Sequence, residues 1–324
     1  MKVMITGAAG FIGGFLVKHC LDAGCSVLGI GIQDQPESWP REAVYQQCDV
    51  RHEKELSQLI STYRPNRIYH LAAQSYPTVS LVHPRETIDI NAGGTVNLFE
   101  SVRSAGIMPT VVVACSSAEY GFVSSENLPV RESHPLHPLH PYGVSKVAQD
   151  LLAAQYFATY AIPTVRIRIF NTTGPGKVGD VCSDLARRAA EIELGLHDPS
   201  LRVGNLTNRR ALIDARDLVR GLWLAAEHCE PGEVYNLGGI HIFAVQDVLD
   251  AIRGFVKVPF TIRQDPALMR PCDELVIAGD ITKFRACSDW KPEIALDTTL
   301  RDMLDWWRNR LMSQPAPELT DQLT

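Results

Sequence analysis

Tyr142 and Lys146 close the stretch Tyr-Gly-Val-Ser-Lys, and upstream the chain runs Cys-Ser-Ser-Ala-Glu-Tyr-Gly from Cys115 to Gly121. A hydroxyl, a phenol and an ammonium in this order make a proton-transfer set suited to a carbonyl. A free phenol releases its proton only near pH ~10, so work near neutrality needs an adjacent cation. On a helix, Lys146 lies one turn beyond Tyr142 on the same face and can supply that charge. Ordinary amphipathic helices also produce Tyr-x-x-x-Lys, so the surrounding elements must carry the inference.

Those elements begin at the first residues. Lys2-Val3-Met4-Ile5-Thr6 reads as a buried strand that passes into Gly7-Ala8-Ala9-Gly10-Phe11-Ile12-Gly13 and then an apolar-periodic helix through Cys20. Gly7 suits a tight turn, Gly10 lets a pyrophosphate approach the backbone and the helix N-terminus, and Gly13 allows close packing of helix on sheet. Strand-like runs at Ser26 to Ile32, Ala43 to Gln47, Arg67 to Leu71, Thr110 to Cys115 and Thr164 to Phe170 alternate with amphipathic segments. That alternation predicts an α/β fold with a Rossmann-type, doubly wound parallel sheet.

Beyond Phe170 the pattern is less regular. The loop Asn171-Thr172-Thr173-Gly174-Pro175-Gly176 leaves a strand end, where ligands sit in open parallel sheets. Helices are expected near Val181 to Leu194, Ala215 to Glu227, Val245 to Val256 and Thr298 to Arg310. The expected division is a dinucleotide-binding domain of residues 1–171 and about 207–238, and a smaller α/β substrate domain of about 172–206 and 239–312. Residues 313–324 read as a disordered tail.

At 324 residues, two domains are the prior. A net charge of -6 leaves no basic footprint for nucleic acid, and no apolar run reaches the length of a membrane helix. With the first strand starting at Lys2 there is no room for a signal peptide, so a cytoplasmic location is expected. The eight cysteines show no metal-ligand spacing and read as reduced core thiols. His134, His137 and His140 are interleaved with prolines, which favours an extended, solvated loop over a metal site.

Thr6 to Gly13, His70-Leu71-Ala72-Ala73-Gln74-Ser75, Asn91, Ser116-Ser117, Tyr142 with Lys146, and Arg168 to Gly176 together resemble the extended short-chain dehydrogenase/reductases acting on nucleotide sugars. The resemblance spans nearly the whole chain. Within that family the chain is most similar to the GDP-4-keto-6-deoxymannose reductases, with the GDP-mannose 4,6-dehydratases next. The resemblance implies a cofactor site of Gly7, Gly10, Phe11, Ile12, Gly13, Asp49, Val50, Leu71, Ala72 and Ala73 together with Tyr142 and Lys146. It also implies a homodimer paired through helices near Asn91 to Ala105 and Tyr142 to Tyr160.

The stretch Cys115 to Gly121 discriminates between the two activities. Dehydratases of the family carry an acid two places before the Tyr-Gly pair, and Ala118 stands there with no proton to give. Glu119, one place along, should point to the opposite side, which leaves it a group behind the site or an incidental surface charge; a local bulge would restore the dehydratase reading. As a reductase, the chain offers Tyr142 to protonate the C4 oxygen, Lys146 to lower the phenol pKa and hold a ribose hydroxyl, and Ser116 to hydrogen-bond the oxygen, with Ser117 its alternate. The product would be a GDP-6-deoxyhexose such as GDP-rhamnose.

Gly31 occupies the position where an NAD enzyme places an acid, and Asp34 follows three residues late, so NADP(H) is favoured over NAD(H). For a nucleotide sugar, Arg210 and Arg270 are candidate diphosphate ligands because the guanidinium fork matches phosphate oxygens. Gln74, Ser117, Glu119 and Asn171 complete the candidate substrate set. Ala211 and Leu212 replace an acid and an aromatic that the family carries after Arg210. A non-catalytic cofactor-sensing protein is the third reading, and retention of Ser116, Tyr142 and Lys146 argues against it.

Overall fold

In the computed structural model, which describes residues 1–268 and 276–313, short apolar runs form one parallel sheet. Its strands are β1 (Lys2–Thr6), β2 (Ser26–Gly31), β3 (Val44–Gln47), β4 (Arg67–His70), β5 (Thr110–Ser116), β6 (Thr164–Ile169) and the edge strand Val234–Leu237. Their order is β3-β2-β1-β4-β5-β6 followed by Val234–Leu237, every neighbouring pair parallel. The order reverses between β1 and β4. That switch point opens a crevice at the strand carboxyl ends, the expected ligand position.

Helices α1 (Phe11–Asp22), α2 (Glu53–Tyr63), α3 (Pro77–Val82), α4 (Pro84–Ile88), α5 (Gly94–Ser104) and α6 (Pro141–Tyr160) connect the strands. Successive strand residues point to opposite faces, so the sheet carries two cores. On one face Val3, Ile5, Val27, Tyr69, Val112 and Val165 meet Leu16, Val17 and Cys20 of α1 and Leu218 and Leu222 of the helix Ala215–His228. On the other, Met4, Leu28, Ile30, Ile68, Val111 and Val113 meet Leu56 and Ile60 of α2, Leu98, Phe99 and Val102 of α5, and Ala153 and Tyr156 of α6. Burial on both faces is why these strands read as continuous apolar runs rather than alternating ones.

The chain divides into two compact units. The first comprises Met1–Thr172, Arg210–Ile242 and Val276–Glu293, and contains the seven-stranded sheet. Residues 276–293 were expected in the smaller domain. They pack on the sheet unit instead because Phe284 and Trp290 complete its core and the Trp290 indole donates to the Asp217 carbonyl at 3.0 Å. The second unit holds residues 173–209, 243–268 and 294–313. In it Arg308 links the helices Val181–Glu193, Val245–Phe255 and Leu296–Ser313, donating to Glu193 Oε2 at 2.6 Å and to the Phe255 carbonyl at 3.2 Å. Among the described residues the cysteines are free thiols, and no helix is long and apolar enough to cross a membrane. Arg270 and the expected tail beyond 313 lie outside the described residues.

Candidate active site

The glycine loop between β1 and α1 is built for close approach. Gly7 holds φ +68, and a Cβ there would lie 2.9 Å from the Ala72 nitrogen. A Cβ on Gly13 would meet the Gly7 carbonyl oxygen at 2.3 Å, so α1 can rest on the loop only with glycine there. Gly10 is the N-cap of α1 and makes no side-chain cap there, and a helix N-terminus favours an anion. A helix N-terminus behind a loop with no room for Cβ atoms at Gly7 and Gly13 fits a dinucleotide pyrophosphate. Leu71 and Ala72, across the switch point, both donate their N–H groups to Thr6 Oγ1, at 3.1 and 3.0 Å.

Those two bonds occupy the lone pairs of Thr6 Oγ1, so its proton goes to His70 Nδ1, 2.8 Å away. Thr95 Oγ1 donates to the Asn91 carbonyl at 2.6 Å, so His70 Nε2, 2.9 Å from Thr95, must carry the ring proton. Burial, and then the Lys146 charge, push His70 down to about 3, so the ring is neutral. Thr95 also accepts from Gln149 Nε2 at 2.8 Å, and Gln149 Oε1 accepts from Lys146 Nζ at 2.7 Å. A continuous buried network therefore joins the glycine-loop strand to the lysine of α6. Of its members, Thr6 and His70 stand in motifs legible in the sequence but with no role assigned there, and Thr95 and Gln149 escape sequence reasoning, because each is an ordinary polar residue whose partner is on another element.

Around the phenol, β5 ends at Ser116 and α6 begins at Pro141, with His140 as its cap. The Gly143 N–H donates to His140 Nδ1 at 3.0 Å, and the two rings of His140 and Tyr142 stack at 5.9 Å. His140 is thus not the solvated loop residue expected from its prolines; Pro141 at the first helical position directs it into a cap. Gly143 is needed for the approach of α6, since a Cβ would come 2.7 Å from the Ala118 carbonyl oxygen. Tyr142 is half-buried, and burial pushes its phenol up to about 12, partly offset by a hydrogen bond from Ser116. Lys146 Nζ lies 5.9 Å from the Tyr142 ring centre and also donates to the Ala114 carbonyl at 2.8 Å. Burial holds this ammonium down to about 8, opposed by Cys115 and Glu119. Ser116, Tyr142 and Lys146 therefore lie near one another.

The remaining candidates divide. Ser117 is half-buried in the short 3-10 turn Ser117–Glu119. Glu119 is a correction: its carboxyl is fully buried, accepting from Ser116 N at 2.8 Å and from Arg168 Nε at 3.1 Å, so it faces away from any substrate. Gln74 is likewise engaged locally, its amide donating to Thr87 Oγ1 on α4 at 2.9 Å and to the Tyr76 carbonyl at 3.1 Å. Asn171 keeps a buried Oδ1 with no hydrogen-bond partner, an acceptor suited to a ligand hydroxyl or N–H. Arg210 is half-buried on the strand Arg209–Ala211.

At the cofactor's expected adenine end, Asp49 is half-buried and paired with Arg51 at 2.6 Å, and that guanidinium holds it below the usual carboxylate range. Val50 is buried under α5. Gly31 has no room for a side chain, since a Cβ would stand 2.7 Å from the Tyr45 hydroxyl, itself donating to the Gln33 carbonyl at 2.9 Å. Asp34 is exposed.

The profile of the family described as GDP-mannose 4,6 dehydratase matches residues 4–303. The chain belongs to that family. Family membership covers both units, from β1 to the last described helix. Among curated relatives, the GDP-6-deoxy-D-mannose reductase of Pseudomonas aeruginosa is 29% identical over 314 residues, 97% of this chain and 99% of the relative. The GDP-mannose 4,6-dehydratase of Yersinia enterocolitica is 27% identical, covering 94% of this chain and 92% of the relative. Among solved structures, RMD from Pseudomonas aeruginosa complexed with NADPH superposes with a TM-score of 0.86 at 27% identity, covering 95% of this chain and 99% of that one. The UDP-glucose 4-epimerase of Thermus thermophilus in complex with NAD gives 0.83 at 26% identity, covering 95% and 99%. Dehydratases, reductases and epimerases thus share this framework, and the chemistry of this member must be argued from its own residues.

Proposed function

We propose that the protein uses NAD(P)H to reduce the C4 ketone of a nucleotide-linked 4-keto-6-deoxy sugar, with GDP-4-keto-6-deoxymannose the favoured substrate and a GDP-6-deoxyhexose such as GDP-rhamnose the product. The observation that carries this reading is the turn after β5. Ser116 lies beside Tyr142 there and lowers its phenol against the push of burial, while Ala118 stands where a dehydratase needs a carboxylate and Glu119 is turned into the core.

The glycine loop with the N-terminus of α1 would hold the pyrophosphate, and Lys146 a ribose hydroxyl. When bound, the nicotinamide supplies hydride. The chain's own groups do the rest. A phenol pushed up to about 12 is protonated at neutral pH, which is the state required of a proton donor to the developing C4 oxyanion. Ser116 Oγ orients that oxygen, and the Lys146 ammonium stabilises the phenolate left behind. A dehydratase or epimerase instead needs Tyr142 to begin as a base, removing the C4 hydroxyl proton. Absence of an acid at Gly31 supports NADP(H) over NAD(H). Arg210 and Asn171 are proposed substrate contacts, and a homodimer is proposed through α5 and α6.

The family description and the dehydratase relatives favour a second reading, GDP-mannose 4,6-dehydratase or epimerase activity. Two incubations separate them. Oxidation of NADPH on addition of GDP-4-keto-6-deoxymannose, with GDP-mannose left unchanged, is the expected result. Conversion of GDP-mannose to a 4-keto sugar without net NADPH consumption would overturn the reductase reading.

A further inference from the structure

Ser116 and Tyr142 arrive from different elements, the end of β5 and the first turn of α6, yet their hydroxyls must meet. Immediately beneath them lie three ionisable side chains with no role in the reaction above. Glu119 and Asp150 are fully buried and Arg168 is nearly so. Glu119 Oε1 accepts from the Ser116 N–H at 2.8 Å, and Oε2 accepts from Arg168 Nε at 3.1 Å. The same Nε donates to Asp150 Oδ2 at 2.8 Å. Asp150 sits on α6 one turn beyond Lys146 and two beyond Tyr142, and Arg168 stands on β6 directly opposite Cys115 of β5. Arg168 Nη1 also donates to the Tyr120 hydroxyl and the Glu132 carbonyl, each at 3.0 Å, which fixes the guanidinium from the other side.

Buried ion pairs add little net stability over apolar packing of the same volume. What they add is direction, since each bond has a required geometry. We propose that Glu119 is a positioning residue, setting the Ser116 hydroxyl against the Tyr142 phenol by bracing the Ser116 backbone, through Arg168 and Asp150, to the helix that carries the tyrosine. Burial and the neighbouring Asp150 raise the Glu119 carboxyl above the usual range, so a neutral acceptor suffices at Ser116 N–H. The inference rests on the proposed roles of Ser116 and Tyr142, but its first test needs no turnover.

The full chain is prepared with 13Cζ-labelled tyrosine and its NMR spectrum recorded without substrate. Tyr142→Phe assigns the Tyr142 signal, and Ser116→Ala marks its position without the serine hydroxyl. Glu119→Ala is expected to move the signal to the Ser116→Ala position, Glu119→Asp part of the way, and Glu119→Gln to leave it near its original place, because the amide oxygen still accepts from Ser116 N–H and the amide nitrogen can donate directly to Asp150 on α6, as the protonated carboxyl does. Turnover should fall on the order of tenfold to a hundredfold in Glu119→Ala with KM little changed, and recover in Glu119→Gln. An unmoved Tyr142 signal in folded Glu119→Ala overturns the proposal; should that variant not fold, an unmoved signal in Glu119→Asp does so. A Glu119→Gln signal displaced as far as that of Ser116→Ala also overturns it. If the signals shift as expected while Tyr142→Phe keeps full ketone reduction, the positioning role stands and the catalytic reading fails.

Discussion

Gln149 Oε1 accepts from the Lys146 ammonium at 2.7 Å while the Gln149 amide donates to Thr95 Oγ1 at 2.8 Å, so the lysine is aimed by a residue itself held from α5. Its head group is fully inside the protein, and burial already lowers it to about 8. Removing the amide acceptor weakens the charged form further. Gln149→Leu should therefore move the alkaline loss of turnover, where Lys146 deprotonates, to lower pH by about one unit. A pH-rate profile of both proteins checks this; superimposable alkaline limbs would reject it.

The same depressed lysine makes a prediction for stability. Between about 8 and its ordinary value of 10.5, Lys146 is neutral when folded and protonated when unfolded. The unfolded state then binds more protons, so this residue's contribution rises with pH through that window, and its charging penalty is fully present below about 8. Urea midpoints compared between the native chain and Lys146→Met should converge or cross as pH climbs from 8 to 10.5.

Tyr142→Phe removes the proposed proton donor and leaves the ring in place. Ketone reduction should drop by roughly 10²- to 10⁴-fold with NADPH binding, followed by fluorescence, retained. Ser116→Ala should cost about 10²-fold and raise the phenol further, since it deletes the hydrogen bond that opposes burial.

Gly13→Ala tests the loop. The added methyl would stand 2.3 Å from the Gly7 carbonyl oxygen and 2.6 Å from that of Ala8, both backbone atoms. Overpacking of this kind costs about 1–3 kcal/mol, so thermal unfolding should shift down by several degrees and dinucleotide affinity should fall. Gly14→Ala, which meets nothing within 4 Å, is the matched control.

The proposed dimer draws on α6, whose outer face exposes Val144 and Leu151 at 47% and 57%. Sedimentation should give a dimeric mass that Leu151→Arg reduces to that of a monomer. A monomeric native chain at micromolar concentration would end the idea.

Much of the framework was legible because it is written in local pattern. Val3 and Ile5 on one face with Met4 on the other, followed by glycines and a periodic helix, specify strand, turn and helix within a dozen or so residues. Of the His134 to Pro141 stretch, which is a loop as expected as far as Leu139, only His140 was misread, because proline marks both extended loops and first helical turns and Pro141 opens α6. Residues 276–293 were misplaced because nothing in their sequence says which core Phe284 and Trp290 enter.

The sequence by itself determined the proton-transfer set, since Tyr142 and Lys146 share a helix face by period alone, and it determined the glycine loop. Tertiary structure decided what surrounds them. Arg168 reaches Glu119 across 49 residues, Thr6 orients His70 across 64, and Tyr120 donates to Asn236 across 116. A buried polar group takes whichever partner the fold brings within about 3 Å, and chain spacing carries no record of that choice. Hence Glu119 could be read from sequence either as a group behind the site or as a surface charge, and only the folded chain, which buries it, chooses the first.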